Sequence, residues 1–368
     1  MIKKIGFLLT AMIILTFGIT YAEEQAQNKT YNLSMEEAVE LGLQSNKTIE
    51  IAQLDIEKNQ VISKKASSLW SKAPENSMIE TKLLSDGYYK RQSEMAVKLS
   101  RKSKELIEQK IELGIKNSYY DISRSIKDVE VKEENVLRVM EQQRISEAKL
   151  KIGTGIKQEV LTAQAAVEEA NLALANAKDD LTYKKMEFNK LLGLTSDATV
   201  NLTDDVINNI RLQATENIDL TTKVSEAQKN RIEVIKAQEN EEVSKLYFDI
   251  VSSYSAENTY DYRAANYEKE KAINELNDEM QNVKLSVNNA FLNMQKAARA
   301  VGVYEKNIVS LKEAYRLAQL SYEAGVGIQM DMLNAQNMLY NAEMSYVQSL
   351  HNYNLASLKF TASYGIGY

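Results

Sequence analysis

The chain of 368 residues contains no cysteine and a single proline, Pro74. Without cysteine, the protein has no disulfides, no thiolate ligands for metals and no lipid-modified cysteine at its start. Proline is the strongest helix breaker, so its near absence favours long uninterrupted helices. The formal net charge of −6 argues against a nucleic-acid partner, because such binding depends on Lys and Arg neutralising phosphates.

Long apolar runs are also missing, except at the N-terminus. Two lysines precede an uncharged apolar run at 5–19, and small residues follow it. This order is typical of a secretory signal peptide, residues 1–22, with a mature exported chain from Glu23. The alternative is that the run is retained as an N-terminal membrane anchor. No later run approaches the length of a membrane-spanning helix.

One pattern of twelve residues occurs twice, within KIGTGIKQEVLTAQ at 151–164 and EAGVGIQMDMLNAQ at 323–336. We call the shift that brings Gly153 onto Gly325 the repeat offset, and it aligns more than seventy residues without a gap. The shared positions include Ala170 with Ala342, Phe188 with Phe360, Asn117 with Asn289 and Tyr119 with Phe291. The sequence therefore predicts a tandem duplication, with a first repeat at 23–210 and a second at 211–368.

A seven-residue pattern follows each copy, with large residues at position a and small ones at position d, as in coiled coils. The a residues are Val160, Val167, Leu174, Leu181 and Phe188, and then Met332, Leu339, Tyr346, Tyr353 and Phe360. The d residues are Ala163, Ala170, Ala177, Lys184 and Leu191, and then Ala335, Ala342, Ser349, Ala356 and Ser363. The segment before each copy is also helical in its periodicity. Each half is thus predicted to be a long helical hairpin, reaching on the order of 70 Å or more.

The Gly-x-Gly of each copy is expected to form the turn of its hairpin. Glycine ends a helix by taking a left-handed conformation that other residues adopt at a cost. Glu159 and Asp331 are expected in the first turn of the following helix, near the positive end of its dipole. The residues leave open whether the turn shape itself is specified or whether these are simply good turn formers that were copied in the duplication.

These features resemble the TolC-type outer-membrane efflux proteins. The opening LSMEEAVELGLQSNKTIEI at 33–51 is similar to that family's first helix: Glu37, Ala38 and Asn46 fit its pattern, whereas Gly42 replaces an alanine. The closing LLGL at 191–194 and YGIG at 364–367 are similar to the ends of its two repeats. The resemblance covers most of the mature chain and depends on the order, duplication and spacing of the motifs together.

The resemblance implies a mainly α fold: two tandem repeats of long antiparallel coiled-coil hairpins, forming a subunit of a TolC-like α-tunnel. It also implies a homotrimer that meets a periplasmic adaptor (membrane fusion) protein and an ABC- or RND-type pump. The partner-binding residues implied at the hairpin tips are Gly153, Thr154, Gly155, Ile156, Gly325, Val326, Gly327 and Ile328.

The sequence departs from the family where its barrel strands are expected, at 68–92 and 246–265. A membrane-crossing strand needs about 9–11 residues with alternating apolar side chains. Charged residues interrupt that alternation in both windows: Lys82, Asp86, Lys90, Arg91, Asp249, Glu257, Asp261 and Arg263. We therefore expect the β-barrel portion to be short or absent. A membrane stays a candidate partner, and the expected location is the outer membrane and periplasm, or the extracytoplasmic surface of a cell that lacks an outer membrane.

No set of catalytic or metal-binding residues is evident in the sequence. His351, the only histidine, is expected at a surface position of its helix, with no second His or Cys to share a metal. The Gly-x-Gly copies lack the third glycine and the preceding buried strand of a phosphate-binding loop. The leading hypothesis is therefore a conduit that exports small molecules or peptides, with no cofactor. The alternative is a barrel-less helical protein that binds a transporter adaptor without forming a channel, and an enzyme ranks last.

Overall fold

The computed structural model describes residues 30–73, 79–206 and 218–367, most of which are helical. The predicted signal peptide and the predicted boundary between the repeats at 210–211 lie outside these ranges. The elements in chain order are β1 (Thr30–Leu33), α1 (Met35–Ser45), α2 (Lys47–Trp70), α3 (Ile79–Ser85), α4 (Tyr88–Lys151), α5 (Lys157–Leu191), β2 (Thr199–Leu202), α6 (Leu220–Asn230), α7 (Ile232–Tyr254), α8 (Tyr260–Glu323) and α9 (Gln329–Ser363).

The two predicted hairpins are α4 with α5 and α8 with α9. Helices α4 and α8 each contain 64 residues, and α5 and α9 each contain 35. The repeat offset brings the first residue of α4 onto that of α8, and the first residue of α5 onto that of α9. At a rise of about 1.5 Å per residue, each long helix extends about 95 Å. The prediction of two long antiparallel hairpins is confirmed.

Shorter helices cover the part of each long helix that the hairpin partner does not reach. Helix α2 packs along α4, and α7 packs along α8. Helix α1 precedes α2 and begins with a capping box, in which the Ser34 hydroxyl accepts from the Glu37 amide and the Glu37 carboxylate accepts from the Ser34 amide. Such a box satisfies amide groups that would otherwise lack partners at a helix start. The opening segment of the chain therefore forms the helices expected from its sequence.

The strands β1 and β2 form a small parallel pair, with Thr30 opposite Thr199 and Leu33 opposite Leu202. The buried Tyr119 hydroxyl of α4 donates to the Leu33 carbonyl and accepts from the Asp204 amide, each at 3.1 Å. Burial raises the pKa of Tyr119 to about 12, so the hydroxyl remains protonated and able to donate. These bonds fasten the ends of the first repeat to the middle of α4.

The duplication is visible in the packing as well as in the lengths of the helices. Tyr119 of α4 meets Phe188 of α5 edge to face, with ring centroids 6.2 Å apart. At the equivalent positions of the second repeat, Phe291 of α8 meets Phe360 of α9 at 5.4 Å. Paired aromatic rings at these distances attract each other beyond their simple burial. Each hairpin is therefore anchored at the same place by the same kind of contact.

The window at 246–265, where the sequence argues against well-formed membrane strands, contains no strand. Helix α7 continues to Tyr254 and α8 begins at Tyr260, so only a short connection, 255–259, lies between them. The described part of the window at 68–92 holds the end of α2, the short α3 and the start of α4. The predicted mainly α fold class is confirmed. Within the described residues, every helix is too polar or too short to pass through a bilayer.

The expectation for His351 is wrong: its side chain is buried rather than at the surface. Helix α9 packs against α8 on one side and against α4 on the other, so it has two buried faces. The heptad pattern identified only the face toward α8. On the second face, the His351 Nε2 atom lies 3.2 Å from an Asp121 carboxylate oxygen of α4.

Candidate functional site

The two hairpin tips, residues 152–156 and 324–328, have the same backbone turn. In the first tip, the amides of Thr154 and Gly155 both donate to the Lys149 carbonyl, at 2.9 and 3.0 Å. In the second tip, the amides of Val326 and Gly327 both donate to the Ser321 carbonyl, at 3.1 and 2.9 Å. These bonds satisfy carbonyls that would be unpaired at a helix end.

The two glycines of each motif are needed for different reasons. Gly153 and Gly325 have φ angles of 80° and 78°, which confirms the left-handed conformation expected from the sequence. Gly155 does not have a positive φ angle. A Cβ atom there, however, would lie 2.9 Å from both the Leu150 amide nitrogen and the Lys149 Cβ atom. The first glycine is thus required by backbone conformation and the second by close packing.

The acidic residues lie where the sequence predicted. Glu159 is in the first turn of α5 and Asp331 is in the first turn of α9. A carboxylate at this position interacts favourably with the partial positive charge at a helix N-terminus. Each hairpin tip is therefore stabilised at the start of its second helix as well as at the end of its first.

Apolar side chains project into solvent at both tips. Val326 is 84% exposed, and Ile328, Ile156 and Ile152 are also mostly exposed. Of the predicted site residues, only Gly155 and Gly327 are partly covered. Exposed aliphatic side chains at a rigid turn form a surface that a protein partner can cover. The structure therefore places all eight predicted residues at two similar, accessible turns.

Just below the turns, a polar cluster joins the two hairpins. The Tyr322 hydroxyl of α8 donates to the Glu159 carboxylate at 3.1 Å and lies 3.2 Å from the Ser146 hydroxyl of α4. The Gln329 side-chain amide donates to the Ser146 hydroxyl at 3.1 Å and to the Glu159 carbonyl at 2.9 Å. The Lys149 ammonium donates to the Tyr322 carbonyl and lies 3.7 Å from the centre of its ring.

We call these five residues, Ser146, Lys149, Glu159, Tyr322 and Gln329, the tip cluster. Tyr322 is 1% exposed, and its burial, together with the Glu159 carboxylate, raises the pKa of its hydroxyl. The hydroxyl therefore stays protonated and keeps donating to the carboxylate. Hydrogen bonds to a charged group in a buried setting are stronger than neutral ones. The tip cluster thus fixes the two tips in register.

Further along the rods, α4 and α9 are joined by a second set of polar contacts. The Arg138 guanidinium makes two bonds to the Glu343 carboxylate, at 3.1 and 2.6 Å, and both side chains are largely buried. The Gln336 side-chain amide donates to the Asn135 side-chain oxygen at 3.2 Å. Nearer the tips, Ile145, Tyr322 and Met332 form an apolar cluster between the hairpins. The hairpins therefore contact each other along an extended part of their length.

Sequence reasoning missed the tip cluster and the Arg138–Glu343 pair, because the heptad positions describe only the contact within a hairpin. The signal that could have found them is the difference between equivalent positions of the two repeats. Tyr322 and Gln329 replace Leu150 and Lys157 of the first repeat. Within the described residues, no group of three or more His, Cys, Asp or Glu side chains is arranged to hold a metal ion.

Residues 254–365, which include the second hairpin, match the family of outer membrane efflux proteins. No curated protein sequence is significantly similar to the chain. The match covers α8, α9 and the second tip. It agrees with the resemblance to TolC-type efflux proteins drawn from the repeated motifs, and it falls on the repeat whose tip carries Tyr322 and Gln329.

The fold is that of several solved outer-membrane channel proteins. The outer membrane protein VceC from Vibrio cholerae is similar with a TM-score of 0.70 and 12% identity, over 90% of this chain and 96% of that chain. The CmeC outer membrane channel from Campylobacter jejuni has a TM-score of 0.66 and 13% identity, over 90% and 85%. The MtrE channel from Neisseria gonorrhoeae has a TM-score of 0.64 and 14% identity, over 90% and 89%.

Proposed function

We propose that this chain, with the fold of outer-membrane channel proteins and an efflux-family match over its second repeat, is one subunit of a homotrimeric helical conduit. In this proposal, the hairpin tips dock a periplasmic adaptor protein that belongs to an ABC- or RND-type pump. The assembly would export small molecules or peptides across the cell envelope. The chain itself would be passive, since the pump supplies the energy, and its tip end would open to admit the substrate.

The observation that carries this proposal is that each hairpin has one contact face used within the chain and one left exposed. The α4 face of the first hairpin packs on the α9 face of the second. By the duplication, the equivalents of these faces are on α8 and on α5. Ile145 of α4 is buried against the second hairpin, whereas its equivalent Leu317 on α8 is half exposed. A second copy that packs its α5 on this α8 would cover Leu317 and, at the same time, the exposed face of α5.

A polar pair that joins the two hairpins inside the chain has equivalents on the two exposed faces, and these would set the register between copies. Gln336 is 1% exposed and bonds to Asn135 within the chain. Their equivalents at the repeat offset are Gln164 on α5 and Asn307 on α8, both of which are exposed. The same two residue types thus occur on the two unpaired faces at the matching height. We expect Gln164 of one copy to bond to Asn307 of the next.

Cross-linking tests this register directly, because the natural chain has no cysteine. Gln164→Cys with Asn307→Cys in the chain from Glu23 should be joined by a short bismaleimide into species of two and three subunits. The positive control is Glu133→Cys with Lys178→Cys, an exposed pair that joins α4 to α5, which should be joined only within one chain. Each single variant should remain a monomer on a denaturing gel.

If three copies form a closed ring, the same experiment should give a second result. At high cross-linking yield, the product should stop at three subunits instead of forming a longer ladder, because a closed ring leaves no free face. Light scattering with and without detergent gives the mass of the native assembly. If the control pair is joined and the test pair is not, in both conditions, the proposed conduit is wrong.

The proposed role of the tips is supported by the four apolar side chains exposed on two matching turns. A photo-reactive amino acid at Val326 or Thr154, in the cells that make this protein, should be joined to an adaptor protein. The same amino acid at Tyr183, an exposed position of α5, should give no such product. The docking proposal is contradicted if the tip positions yield only the product obtained at Tyr183.

One observation supports the second candidate, a rod that binds an adaptor without conducting. The connection between α7 and α8 is confined to 255–259 and contains no strand. If the cross-linked trimer binds the adaptor but gives no conductance in a planar bilayer, this candidate replaces the conduit. Conductance that requires the assembled trimer supports the conduit.

A further inference from the structure

A groove on the side of the rods is bounded by α4 of the first hairpin and by α8 and α9 of the second. Its volume is about 610 Å³, which is within the range of pockets that bind small molecules. Its charged side chains are Arg124 and Asp128 of α4 and Lys296 of α8. No residue of the tip cluster or of the hairpin tips lines it, so the groove is a separate candidate site.

The walls of the groove combine apolar surface with uncharged polar side chains. The apolar residues and tyrosine are Ala297, Ala300, Tyr304, Met344 and Ala356, and the uncharged polar residues are Asn293, Ser345, Gln348, Ser349 and Asn352. The three alanines leave space above the helix backbones. A methionine side chain is flexible and can adapt to apolar groups of different shape. Such walls suit a molecule with an apolar body and one polar end.

The two charged residues that α4 contributes to the groove are paired with each other. The Arg124 Nε atom lies 3.3 Å from a carboxylate oxygen of Asp128, one helical turn further along α4. Burial raises the pKa of Asp128, although Arg124, Lys132 and Lys184 lower it. With a guanidinium beside it and a raised pKa, this carboxylate opposes a nearby anion less than an exposed aspartate would.

Lys296 of α8 is the equivalent of Arg124 at the repeat offset, but the second hairpin lacks the matching acid. The equivalent of Asp128 is Ala300. Lys296 is exposed, and its ammonium makes no ion pair among the described residues. The second hairpin has therefore kept the cation of this pair without its carboxylate. A carboxylate that enters the groove can take the place beside Lys296 that Asp128 has beside Arg124.

The space for the rest of a ligand also comes from a difference between the repeats. In the first hairpin, the Lys184 side chain of α5 reaches across to α4, where its ammonium donates to the Ser125 hydroxyl at 2.8 Å. The equivalents of Lys184 and Ser125 are Ala356 and Ala297, and both of these line the groove. The first hairpin thus fills this place with its own side chain, whereas the second leaves it open.

We propose that this groove binds a small organic anion, whose carboxylate pairs with the Lys296 ammonium and whose apolar body lies on Met344 and the alanines of the walls. The ligand class is an amphiphilic monocarboxylate about the size of a small aromatic ring system. A bound molecule contacts both hairpins, because α4 and α8 form opposite walls. The site is formed by one chain, so binding requires neither a trimer nor an adaptor, and its test is independent of the proposed function.

Three naphthalene derivatives of similar size and different charge test the ligand class on the chain from Glu23. They are naphthoate, naphthylmethanol and naphthylmethylammonium. Isothermal titration calorimetry should show one naphthoate bound per chain, with an affinity about tenfold higher than that of the neutral alcohol, because only the carboxylate pairs with the lysine. The ammonium compound should bind more weakly than the alcohol, since Lys296 repels it.

Lys296→Gln should lower the affinity for naphthoate about tenfold and leave that for naphthylmethanol unchanged. Ala300→Asp should have a similar effect, because it gives Lys296 a carboxylate at the position that Asp128 has relative to Arg124. The matched control is Ala300→Asn, which has nearly the same shape without the charge and should retain most of the naphthoate affinity. Lys306→Gln changes an exposed lysine of α8 outside the groove and should leave binding unchanged. Equal helical circular dichroism of all variants establishes that they are folded.

The proposal is overturned if naphthoate does not bind, or if it binds no more tightly than naphthylmethanol. It is also overturned if Lys306→Gln weakens binding as much as Lys296→Gln does, because the anion then binds elsewhere. Equal losses in Ala300→Asp and Ala300→Asn contradict the role assigned to the missing carboxylate. A larger loss in Ala300→Asp than in Ala300→Asn supports it.

Discussion

The two hairpins and the two connections at the opposite end respond differently to the same duplication. Helices α4 and α8 agree in length residue for residue, and so do α5 and α9. At the end away from the hairpin tips, by contrast, the connection at 71–87 is much longer than the one at 255–259. Length is therefore preserved where helices pack side by side in register, because an inserted residue would rotate every following side chain by about 100°. The length of a segment can differ between the repeats where the segment only connects two helices.

A second difference lies between equivalent faces of the two hairpins. The face between the repeats contains the tip cluster and the Arg138–Glu343 ion pair, and it is closed within one chain. The equivalents of Arg138 and Glu343 are Ser310 and Asn171, which are exposed and uncharged. We therefore expect the contact inside the chain to be stronger than the contact proposed between copies.

The largest effect should come from Arg138→Ala, which breaks the contact inside the chain. It leaves the Glu343 carboxylate, whose side chain is only 8% exposed, buried without its partner. Removing one member of a buried ion pair typically costs about 3–5 kcal/mol. Urea unfolding followed by circular dichroism measures this loss.

Arg316→Ala is the control for that experiment. Arg316 makes a similarly short bond, 2.7 Å, to Glu313, but both side chains are more than half exposed. A pair of this kind, exposed on one helix, contributes little to stability because water screens it. If the two variants lose the same stability, the distinction between the closed face and the open surface is wrong.

A smaller loss is expected from Tyr322→Phe, which tests the tip cluster. The variant keeps the ring but removes the hydroxyl that lies between Glu159 and Ser146. Leaving buried polar groups without a partner costs about 1–3 kcal/mol. The unfolding free energy in urea gives the value.

The equivalent change in the first repeat is Leu150→Ala, at a position that is exposed in the single subunit. Leu150→Ala should lower the stability of the monomer by less than Tyr322→Phe does. It should lower the yield of cross-linked species of two and three subunits by more than Tyr322→Phe does. If Leu150→Ala destabilised the monomer more and the assembly less than Tyr322→Phe, the proposed contact between copies would not use the face that carries Leu150.

The sequence predicted the hairpins, their turns and the helical fold because these depend on local patterns. Heptad spacing, glycine at the turns and the repeat offset are all visible in the order of residues. The tip cluster could not be predicted in this way, since Ser146 and Tyr322 meet only when two separate hairpins pack together. His351 was misplaced for the same reason: the pattern describes one contact face of α9, and the fold gives it two.

Glycines at the hairpin tips and a glycine inside a long helix should respond in opposite ways to replacement by alanine. Gly153→Ala and Gly325→Ala should each lower stability by about 1–2 kcal/mol, because alanine is strained at the left-handed φ angles found there. The expected loss is the same at both tips, since their turns are the same. Thermal unfolding measured by circular dichroism compares them.

Gly302→Ala provides a control of opposite sign. Gly302 lies inside α8, and an added Cβ atom would meet no other atom within 4 Å. Alanine there should stabilise the helix by about 0.5–1 kcal/mol. If Gly302→Ala and Gly153→Ala shift stability in the same direction, the role assigned to the tip glycines is incorrect.

The smallest effect concerns His351, the only histidine, on the second buried face of α9. Burial lowers its pKa from the ordinary 6.5, although the facing Asp121 carboxylate raises it; Arg124 and Lys184 on the neighbouring helices also lower it. The folded state therefore binds this proton less readily than the unfolded state. Stability is then fully present above about pH 6.5 and decreases as the pH falls below that value.

His351→Gln should remove this one component of the pH dependence while leaving the carboxylate components in place. Urea midpoints at about pH 7.5 and about pH 5.5 should thus differ more for the natural chain than for the variant. The imidazole resonance of the folded protein should titrate below 6.5. Titration above that value would mean that Asp121 outweighs burial, and the natural chain would then gain stability relative to His351→Gln on acidification. The equivalent residue of α5, Asp179, is exposed, so this response belongs to the closed face alone.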